Sequence, residues 1–223
     1  MGVYRINDIF YSLQGEGHNT GRAAVFIRFA GCNLRCPFCD TEFDTYREMT
    51  EEEILEEVSS LHPFPADAPT RSLSPITLHP SPITHHLLIV LTGGEPTLQV
   101  DEAFVDMLHQ HGYEVAMESN GTRPAPRNLD WLTVSPKIAG GGWRVTGGER
   151  LPDEIKIVFD EDTPKNLSSL LLPHSSFLEK YLQPCDTGDP QRNAAITKAC
   201  VEYIKQHPEW RLSLQTHKLI GIA

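Results

Sequence analysis

The sequence lacks a long apolar run: no stretch reaches the roughly 18 apolar residues that a membrane-spanning helix needs. Its start, from Met1 to Phe10, also lacks the uninterrupted apolar core of a secretory signal peptide. We therefore expect a soluble, cytoplasmic protein that has no membrane partner.

Basic residues are fewer than acidic ones: the sequence has 19 Lys and Arg and 30 Asp and Glu, which gives a formal net charge of −11. A nucleic-acid-binding surface needs a basic stripe, so we expect no direct nucleic-acid partner. Cysteines are also few and odd in number, five in all, and three of them fall in one short motif. This pattern argues against a secreted disulfide framework and favours a reducing cytosol.

One segment lacks hydrophobic periodicity. The stretch 62–86 holds six prolines and four histidines, and prolines at this density block both a helix and a central strand. We expect a surface loop or a partly disordered insert there, with solvated histidines rather than a metal site. The 223 residues otherwise suit one domain over 1–223, interrupted by this insert.

Outside the insert, apolar runs that suit buried strands alternate with helical patterns. The predicted strands are 24–29, 87–91, 113–117, 129–134, 154–159, 177–182 and 211–215. Apolar residues at helical spacing predict three helices. One begins near Thr50, a second begins near Asp101, and a third covers about 189–206. Thr50 and Glu53 form a capping box, and Gly112 is a C-terminal stop. The alternation predicts an α/β fold with a mostly parallel sheet, open or rolled into a partial barrel, whose functional residues gather at the C-terminal strand ends.

Three cysteines, Cys32, Cys36 and Cys39, stand at the spacing C-x3-C-x2-C directly after the apolar run 24–30. Thiolates this close form a soft-metal site, which leaves open the identity of the metal. A structural zinc site takes four protein ligands, and no fourth Cys or His lies within a few residues. A 4Fe-4S cluster with three thiolates keeps one iron open to a small molecule, as a cluster that does chemistry requires. A zinc knuckle or a disulfide remnant is the alternative interpretation.

Polar motifs follow other predicted strands. At 93–95, a Gly-Gly-Glu sequence lets the backbone approach a ligand closely, and Glu95 can accept hydrogen bonds from an ammonium or a hydroxyl group. The Ser-Pro-Lys sequence at 135–137 could bind a carboxylate or a ribose, and 118–122 could line the same site. An ordinary turn is the alternative for each of these motifs.

Arg28 and Gln14 are candidate substrate contacts. Strand alternation places Arg28 on the opposite face from Ile27 and Phe29. An inward-facing arginine at the top of a sheet favours a carboxylate, which it binds in a bidentate manner, whereas an edge strand would leave it facing solvent. Gln14 lies near Glu16, and its amide can donate and accept at once, which suits the edge of a pterin or purine.

Together these motifs resemble the 7-carboxy-7-deazaguanine synthase family of radical S-adenosylmethionine (SAM) enzymes. The resemblance rests on 12–17, on the strand that carries Arg28, and on 32–41, 92–96, 135–137, 183–184 and 214–218, and it fails mainly across 62–86. It implies an α/β fold of the radical SAM type, an abridged and modified TIM-type partial barrel. It also implies a homodimer and three cofactors, namely a 4Fe-4S cluster, S-adenosyl-L-methionine and Mg²⁺.

The resemblance also assigns residues to roles. Cys32, Cys36 and Cys39 would hold the cluster, and Thr41 would ligate Mg²⁺. The SAM contacts would be Phe38, Cys39, Asp40, Gly94, Ser135, Pro136, Lys137, Gln183, Pro184, Cys185 and Asp186. The substrate contacts would be Leu13, Gln14, Gly15, Arg28, Thr92 and Ala223.

The implied activity is that of a carbon–nitrogen lyase, which converts 6-carboxy-5,6,7,8-tetrahydropterin to 7-carboxy-7-deazaguanine and releases ammonia. The reaction would be a SAM-dependent radical ring contraction in the biosynthesis of queuosine and other deazapurines. An external one-electron donor, flavodoxin or ferredoxin, would reduce the cluster, and the cofactors would carry the radical chemistry. The sequence identifies no general base.

Two other functions share the cysteine motif. A glycyl-radical-activating enzyme takes hydrogen from the backbone of a partner protein, and it needs neither Mg²⁺ nor a carboxylate pocket at Gln14 and Arg28. A non-enzymatic iron–sulfur or zinc module is the second alternative, and its metal content would identify it.

Overall fold

The computed structural model describes residues 2–39, 42, 44–61, 86–137, 150–170 and 179–222. Four of the sequence-based predictions fall outside these ranges. They are the roles of Asp40, Thr41 and Ala223, and the insert as far as residue 85.

Within these ranges the strands form one nine-stranded open sheet in the order β3-β1-β2-β4-β5-β6-β7-β8-β9. The strands are β1 (Val3–Leu13), β2 (Ala23–Phe29), β3 (Arg47–Thr50), β4 (Leu88–Gly93), β5 (Glu114–Ser119), β6 (Trp131–Val134), β7 (Glu154–Phe159), β8 (Glu179–Pro184) and β9 (Arg211–Leu212). β1 runs antiparallel to β2 and to β3. Every neighbouring pair from β2 and β4 onward to β9 is parallel, so the mostly parallel α/β sheet is confirmed.

Among the described residues, helices follow β3 and the parallel strands β4, β7, β8 and β9. They are α1 (Glu51–Leu61), α2 (Glu102–Gln110), α3 (Thr163–Leu170), α4 (Pro190–Gln206) and α5 (Thr216–Ile220), and a 3-10 turn at Pro96–Leu98 precedes α2. In the part of the chain that the structure describes, no helix is both long enough and apolar enough to cross a membrane.

Strand alternation divides the sheet into a core face and a site face. On β2, Val25, Ile27 and Phe29 are fully buried, and they pack in a core cluster that includes residues of α1 and α2. On β7, Ile155 and Ile157 pack with residues of α4 in a second cluster. The residues between them point the other way, because successive side chains of a strand alternate between the two faces. β2 and β7 therefore each supply both the core and the opposite face.

All seven predicted strands correspond to observed strands, β2 and β4 to β9, with boundaries displaced by a few residues. The sequence analysis missed β1 and β3. β1 contains Arg5, Asn7 and Asp8, so it forms no apolar run, and its antiparallel pairing with β2 stabilises it instead. β3 has four residues and pairs only with the start of β1. The sequence analysis also missed α3.

The predicted capping box begins α1. Thr50 Oγ1 accepts a hydrogen bond from the Glu53 amide at 3.3 Å, and a Glu53 carboxylate oxygen accepts one from the Thr50 amide at 2.8 Å. Two backbone donors that the first helical turn leaves unpaired are thereby satisfied. The predicted C-terminal stop after α2 is also confirmed, because Gly112 has a φ of 80°.

Replacing the capping hydroxyl should weaken α1. We expect Thr50→Ala to lower the free energy of unfolding by about 1 kcal/mol, because the Glu53 amide loses its acceptor. Urea denaturation of the cluster-free protein measures this change. Glu56→Ala, at an exposed position in the middle of the same helix, is the matched control and should change stability by less than about 0.5 kcal/mol. Equal effects of the two substitutions would contradict the capping role.

Candidate active site

A cavity of about 460 Å³ opens at the C-terminal ends of the parallel strands. Residues of β2, β4, β5, β7 and β8 line it, together with the cysteine loop and the segment after β9. Gln14, Lys156 and His217, which are far apart in the chain, share its walls. This is the end of a parallel α/β sheet where binding sites are found.

Most of the predicted site residues line this cavity. They are Leu13, Gln14, Gly15, Arg28, Cys32, Cys36, Phe38, Cys39, Thr92, Gly94, Ser135, Lys137, Gln183, Pro184, Cys185 and Asp186. Pro136 is buried and is not part of the lining, although its two neighbours in the chain are. The remaining predicted residues, Asp40, Thr41 and Ala223, lie outside the described residues.

The three motif cysteines are free thiols on the wall of the cavity. Burial raises the pKa of the Cys36 thiol, Lys137 lowers it, and the sulfurs of Cys39 and Cys32 raise it again. These mutual effects show that the three sulfurs lie in one electrostatic neighbourhood. Two donors reach Cys32 Sγ: the Leu34 amide at 3.4 Å and Asn120 Nδ2 at 3.9 Å.

The Gly-Gly-Glu motif lies directly against the backbone that leads into the cysteine loop. The Gly94 amide donates to the Phe29 carbonyl at 2.8 Å, and the Glu95 amide donates to the Gly31 carbonyl at 2.9 Å. A Cβ atom on Gly94 would lie 2.0 Å from the Gly31 carbonyl oxygen. Gly93 has a φ of 110°, which also requires glycine. The motif therefore fixes the position of the first cysteine relative to β4.

Glu95 serves the protein itself. It is fully buried and is not part of the cavity lining. Its carboxylate accepts from Thr97 Oγ1 at 2.6 Å, from Ser119 Oγ at 2.8 Å and from the Asn120 amide at 2.7 Å. The sequence-based suggestion that Glu95 accepts from a ligand ammonium is therefore not supported, since its carboxylate is fully buried away from the cavity and its described partners belong to the protein. Glu95 connects the end of β4 to the end of β5, and Asn120 continues this connection to Cys32.

Arg28 and Thr92 are neighbours across β2 and β4, as register partners. The Arg28 guanidinium carbon lies 4.7 Å from the centre of the Phe10 ring, which stacks on Phe26 at 5.0 Å. No hydrogen bond or ion pair engages this guanidinium among the described residues. An aromatic face orients the cation without neutralising it, so its donors remain available for a ligand carboxylate.

The floor of the cavity holds a buried ammonium group between two carboxylates. Lys156 Nζ lies 2.5 Å from Glu16 Oε2 and 3.4 Å from Glu118 Oε2, and its side chain is only 5% exposed. Gln14 Nε2 donates to the second oxygen of Glu118 at 2.9 Å. Gln215 Nε2 donates to the second oxygen of Glu16 at 3.0 Å. Each carboxylate thus has both oxygens held by the protein.

The electrostatics of this floor favour the charged forms of Glu16 and Lys156, and disfavour that of the neighbouring Lys137. Burial alone would raise the pKa of Glu16, but Lys156 and the hydrogen bond from Gln215 lower that pKa to about 2. Burial alone would lower the pKa of Lys156, and the carboxylates of Glu118, Glu16 and Glu154 raise it overall. Burial lowers the pKa of Lys137, and the nearby ammonium of Lys156 lowers it further.

The segment after β9 closes one side of the cavity. Thr216 donates from its amide and its hydroxyl to the Gly15 carbonyl, at 3.0 and 2.9 Å. A Cβ atom on Gly15 would lie 2.1 Å from His217 Nδ1, so glycine allows this close approach. In the same segment, Lys218 Nζ lies 2.9 Å from Asp186 Oδ2, and the hydrogen bond from Lys218 is the first cause that lowers the pKa of Asp186 to about 2.

Comparison with known proteins identifies the family. No family model matches the chain. It is 44% identical to the 7-carboxy-7-deazaguanine synthase of Bacteroides thetaiotaomicron over 218 residues, which cover 98% of each chain. It is 41% identical to the protein of the same name from Nitratidesulfovibrio vulgaris, with 99% of each chain covered. The chain belongs to the 7-carboxy-7-deazaguanine synthase family.

A solved structure supports this membership. The crystal structure of QueE from Escherichia coli matches with a TM-score of 0.68 at 26% identity, over 95% of this chain and 93% of that one. The open mixed sheet and this neighbour together confirm the predicted partial barrel of the radical SAM type. The prediction of an enzyme is confirmed by the same relatives.

Membership in this family implies a 4Fe-4S cluster and SAM, and the cavity offers suitable donors. Among the described residues, no three His, Cys, Asp or Glu side chains are grouped to hold one metal ion. A four-iron cluster has a different requirement, because each thiolate binds a different iron and the sulfurs lie further apart than around one ion. Three free thiols on one wall, with amide donors at Cys32, fit that requirement.

The sequence analysis missed Lys156 and did not connect it with Glu16 and Glu118. One signal was available: Lys156 interrupts the apolar strand 154–159, where alternation puts it on the face opposite Ile155. A lysine on the inner face of a central strand needs a partner, but the partners come from β5 and from the loop after β1. Only the folded chain brings them together.

A methyl group at position 94 should disrupt the cysteine loop. We expect Gly94→Ala to reduce the iron and sulfide content after anaerobic reconstitution by more than half. The reason is that its Cβ would lie 2.0 Å from the Gly31 carbonyl oxygen and force the two backbones apart. Gly112→Ala is the matched control: it has a positive φ but nothing within 4 Å, so it should lose about 1 kcal/mol of stability and no iron. Full iron content in Gly94→Ala would contradict this account.

Proposed function

We propose that this enzyme converts 6-carboxy-5,6,7,8-tetrahydropterin to 7-carboxy-7-deazaguanine, with release of ammonia, in the biosynthesis of queuosine and other deazapurines. One observation carries the proposal: a single cavity joins the three cysteines to a free arginine and to a floor of paired carboxylates and amides. Membership in the family supplies the identity of the reaction.

In this proposal Cys32, Cys36 and Cys39 hold the 4Fe-4S cluster and leave one iron for SAM. When bound, the cluster and SAM supply radical chemistry, namely the removal of a hydrogen atom from the substrate. The SAM contacts are Phe38, Cys39, Asp40, Gly94, Ser135, Pro136, Lys137, Gln183, Pro184, Cys185 and Asp186. The described members of this set, apart from Pro136, share the cavity wall with the cysteines, which supports the assignment.

The substrate carboxylate binds Arg28 in this proposal, next to Thr92. The guanidinium is oriented by Phe10 and has no other anionic partner among the described residues. A bidentate pair at this point fixes one end of the pterin, and so presents its reduced ring to the radical. Leu13, Gln14 and Gly15 contact the ring, and Ala223 completes the substrate site.

The other end of the pterin carries an amino group and a ring N–H. Glu16 and Glu118 are acceptors, and each oxygen that already takes one hydrogen bond keeps a second lone pair. Two carboxylates at the floor therefore suit a ligand edge that is rich in donors. With the carboxylate at Arg28 and the donor edge at the floor, the cavity holds the pterin at both ends.

We further propose that Thr41 would hold a Mg²⁺ ion, for which the substrate carboxylate would supply a further oxygen ligand. A single hydroxyl is a weak magnesium site, but Mg²⁺ keeps several waters and takes oxygens from its substrate. The ion would hold the carboxylate in place while the ring contracts. This role is tested by adding Mg²⁺ to the holoenzyme after removal of Mg²⁺ alone, with the 4Fe-4S cluster left in place. The KM for the pterin is measured at each Mg²⁺ concentration and compared between Thr41→Ser and Thr41→Val.

We also propose an external one-electron donor, flavodoxin or ferredoxin, a homodimer, and a cytoplasmic location. Scarce cysteines, three of them in a motif that requires free thiols, support the reducing compartment. Sedimentation of the reconstituted enzyme tests the dimer, and turnover with each purified donor tests the reductant.

The reaction itself is tested by a product assay. Reconstituted anaerobically and given reductant, SAM and 6-carboxytetrahydropterin, the enzyme should form 7-carboxy-7-deazaguanine and ammonia in equal amounts. Cys36→Ala should abolish the product, because the cluster loses a ligand. Cys200→Ala, which removes a thiol that is buried in the core and is not part of the cavity lining, is the control and should retain both iron and product.

Other outcomes of this assay separate the alternatives. An intact cluster that forms no product would overturn the assignment of the reaction. Cleavage of SAM only with a partner protein would indicate a glycyl-radical-activating enzyme. Zinc without iron or sulfide would indicate a binding module.

Arg28 should determine the affinity for the pterin. We expect Arg28→Gln to raise the KM for 6-carboxytetrahydropterin on the order of 30-fold or more, because the carboxylate loses its charged partner in the cavity. Arg28→Lys keeps the charge but not the bidentate geometry, so its KM should fall between that of the wild type and that of Arg28→Gln. Arg192→Gln, on the exposed face of α4, is the control and should leave the KM unchanged. An unchanged KM in Arg28→Gln would remove Arg28 from the substrate site.

A further inference from the structure

Lys156 is a buried cation that no step of the proposed reaction uses. It extends from β7 into the floor of the cavity, where its ammonium contacts Glu16 and Glu118. These carboxylates come from the loop after β1 and from β5, so Lys156 joins three separate parts of the chain. A buried lysine is costly unless it is paired, which indicates a specific need for it.

Further titratable groups surround Lys156, besides Glu16 and Glu118. Glu154, two residues away on the same strand, is a third carboxylate, held by the His18 amide at 3.0 Å and by Trp131 Nε1 at 3.4 Å. Glu154 is not part of the cavity lining, whereas Glu16 and Glu118 are. Among the described residues, two further titratable side chains act on this site: Lys137, after β6, and His217, in α5. Lys156 is thus the ammonium in contact with both carboxylates of the cavity floor, Glu16 and Glu118.

The two carboxylates of the cavity floor depend on this ammonium. Two carboxylates in a shared buried site tend to keep one proton between them, because two like charges repel. A protonated carboxyl group has an O–H to donate and fewer lone pairs to offer, so it matches a donor-rich ligand edge poorly. Lys156 contacts both carboxylates at once and so offsets part of their mutual repulsion, while Gln14 and Gln215 fix the outer oxygens.

We propose that Lys156 is a positioning residue that keeps Glu16 and Glu118 ionised and oriented toward the N–H groups of the pterin. This inference rests on the proposed function, since it names the pterin as the ligand. It assigns Lys156 to recognition of the ring edge, at the opposite end of the site from the substrate carboxylate at Arg28. It also separates ring recognition from SAM binding, which involves neither carboxylate.

The test is the pH dependence of pterin binding. The reconstituted holoenzyme with SAM and without reductant is titrated with 6-carboxytetrahydropterin between pH 6 and pH 9, by calorimetry under anaerobic conditions. In Lys156→Met, we expect binding at least tenfold weaker than wild type at pH 7. The deficit should shrink as the pH rises, because the shared proton is then lost and both carboxylates ionise. SAM binding should stay within twofold of wild type.

Conservative and control variants separate charge from packing. Lys156→Arg keeps the positive charge, so its pH profile should follow that of the wild type even if its affinity is lower. Lys198→Met, an exposed lysine of α4, should behave as wild type throughout. A purely structural lysine would give a different pattern, in which Lys156→Arg is as damaging as Lys156→Met, SAM binding falls in parallel, and neither deficit changes with pH. That pattern would overturn the proposal.

A double variant covers the case in which Lys156→Met does not fold. Lys156→Met with Glu118→Gln removes one charge of each sign from the floor. It should bind SAM normally and the pterin at least tenfold more weakly than wild type, and wild-type pterin binding would overturn the proposal. A wild-type holoenzyme that binds SAM but not the pterin would instead refute the proposed function. Wild-type turnover with an unaffected Lys156→Met would refute only the role of Lys156.

Discussion

The close approach of two backbone segments organises this protein. Residues 93–95, at the end of β4, lie so near residues 29–31 that a Cβ atom on Gly94 would meet a carbonyl oxygen at 2.0 Å. Hydrogen bonds from the Gly94 and Glu95 amides hold this contact, and the Glu95 carboxylate extends it to the end of β5. Asn120 then reaches Cys32. The first cysteine is thus tied to three neighbouring strands.

The same strands that build the core also build the cavity. On β2, Ile27 and Phe29 face the helices while Arg28 faces the site, and on β7 Lys156 lies between two core isoleucines. The tightly packed side of each strand holds its polar side in a fixed position. Through this arrangement one nine-stranded sheet places the cysteine thiols, the Arg28 guanidinium and the Lys156 ammonium around a single cavity.

Much of the site was predictable because its residues stand in short local motifs. The spacing of Cys32, Cys36 and Cys39, the glycines at 93–94 and the inward direction of Arg28 follow from chain geometry over a few residues. The strands from β2 onward were predictable for the same reason, since each is an apolar run. β1 was missed because its polar residues break the run and its stability comes from pairing with β2. The partners that Glu95 has in the fold were not predictable, because Ser119 and Asn120 belong to a different strand end.

By itself the sequence determined that three thiols stand close together, that the sheet is mostly parallel, and that Arg28 faces away from Ile27 and Phe29, since each depends on spacing and alternation within short segments. Only the tertiary structure decided that Glu95 serves the fold, that the segment after β9 closes the cavity, and that Lys156 lies between Glu16 and Glu118. The physical reason is that these contacts join residues more than 20 positions apart. Whether a charged group faces a ligand, a partner or solvent depends on what the folded chain places beside it.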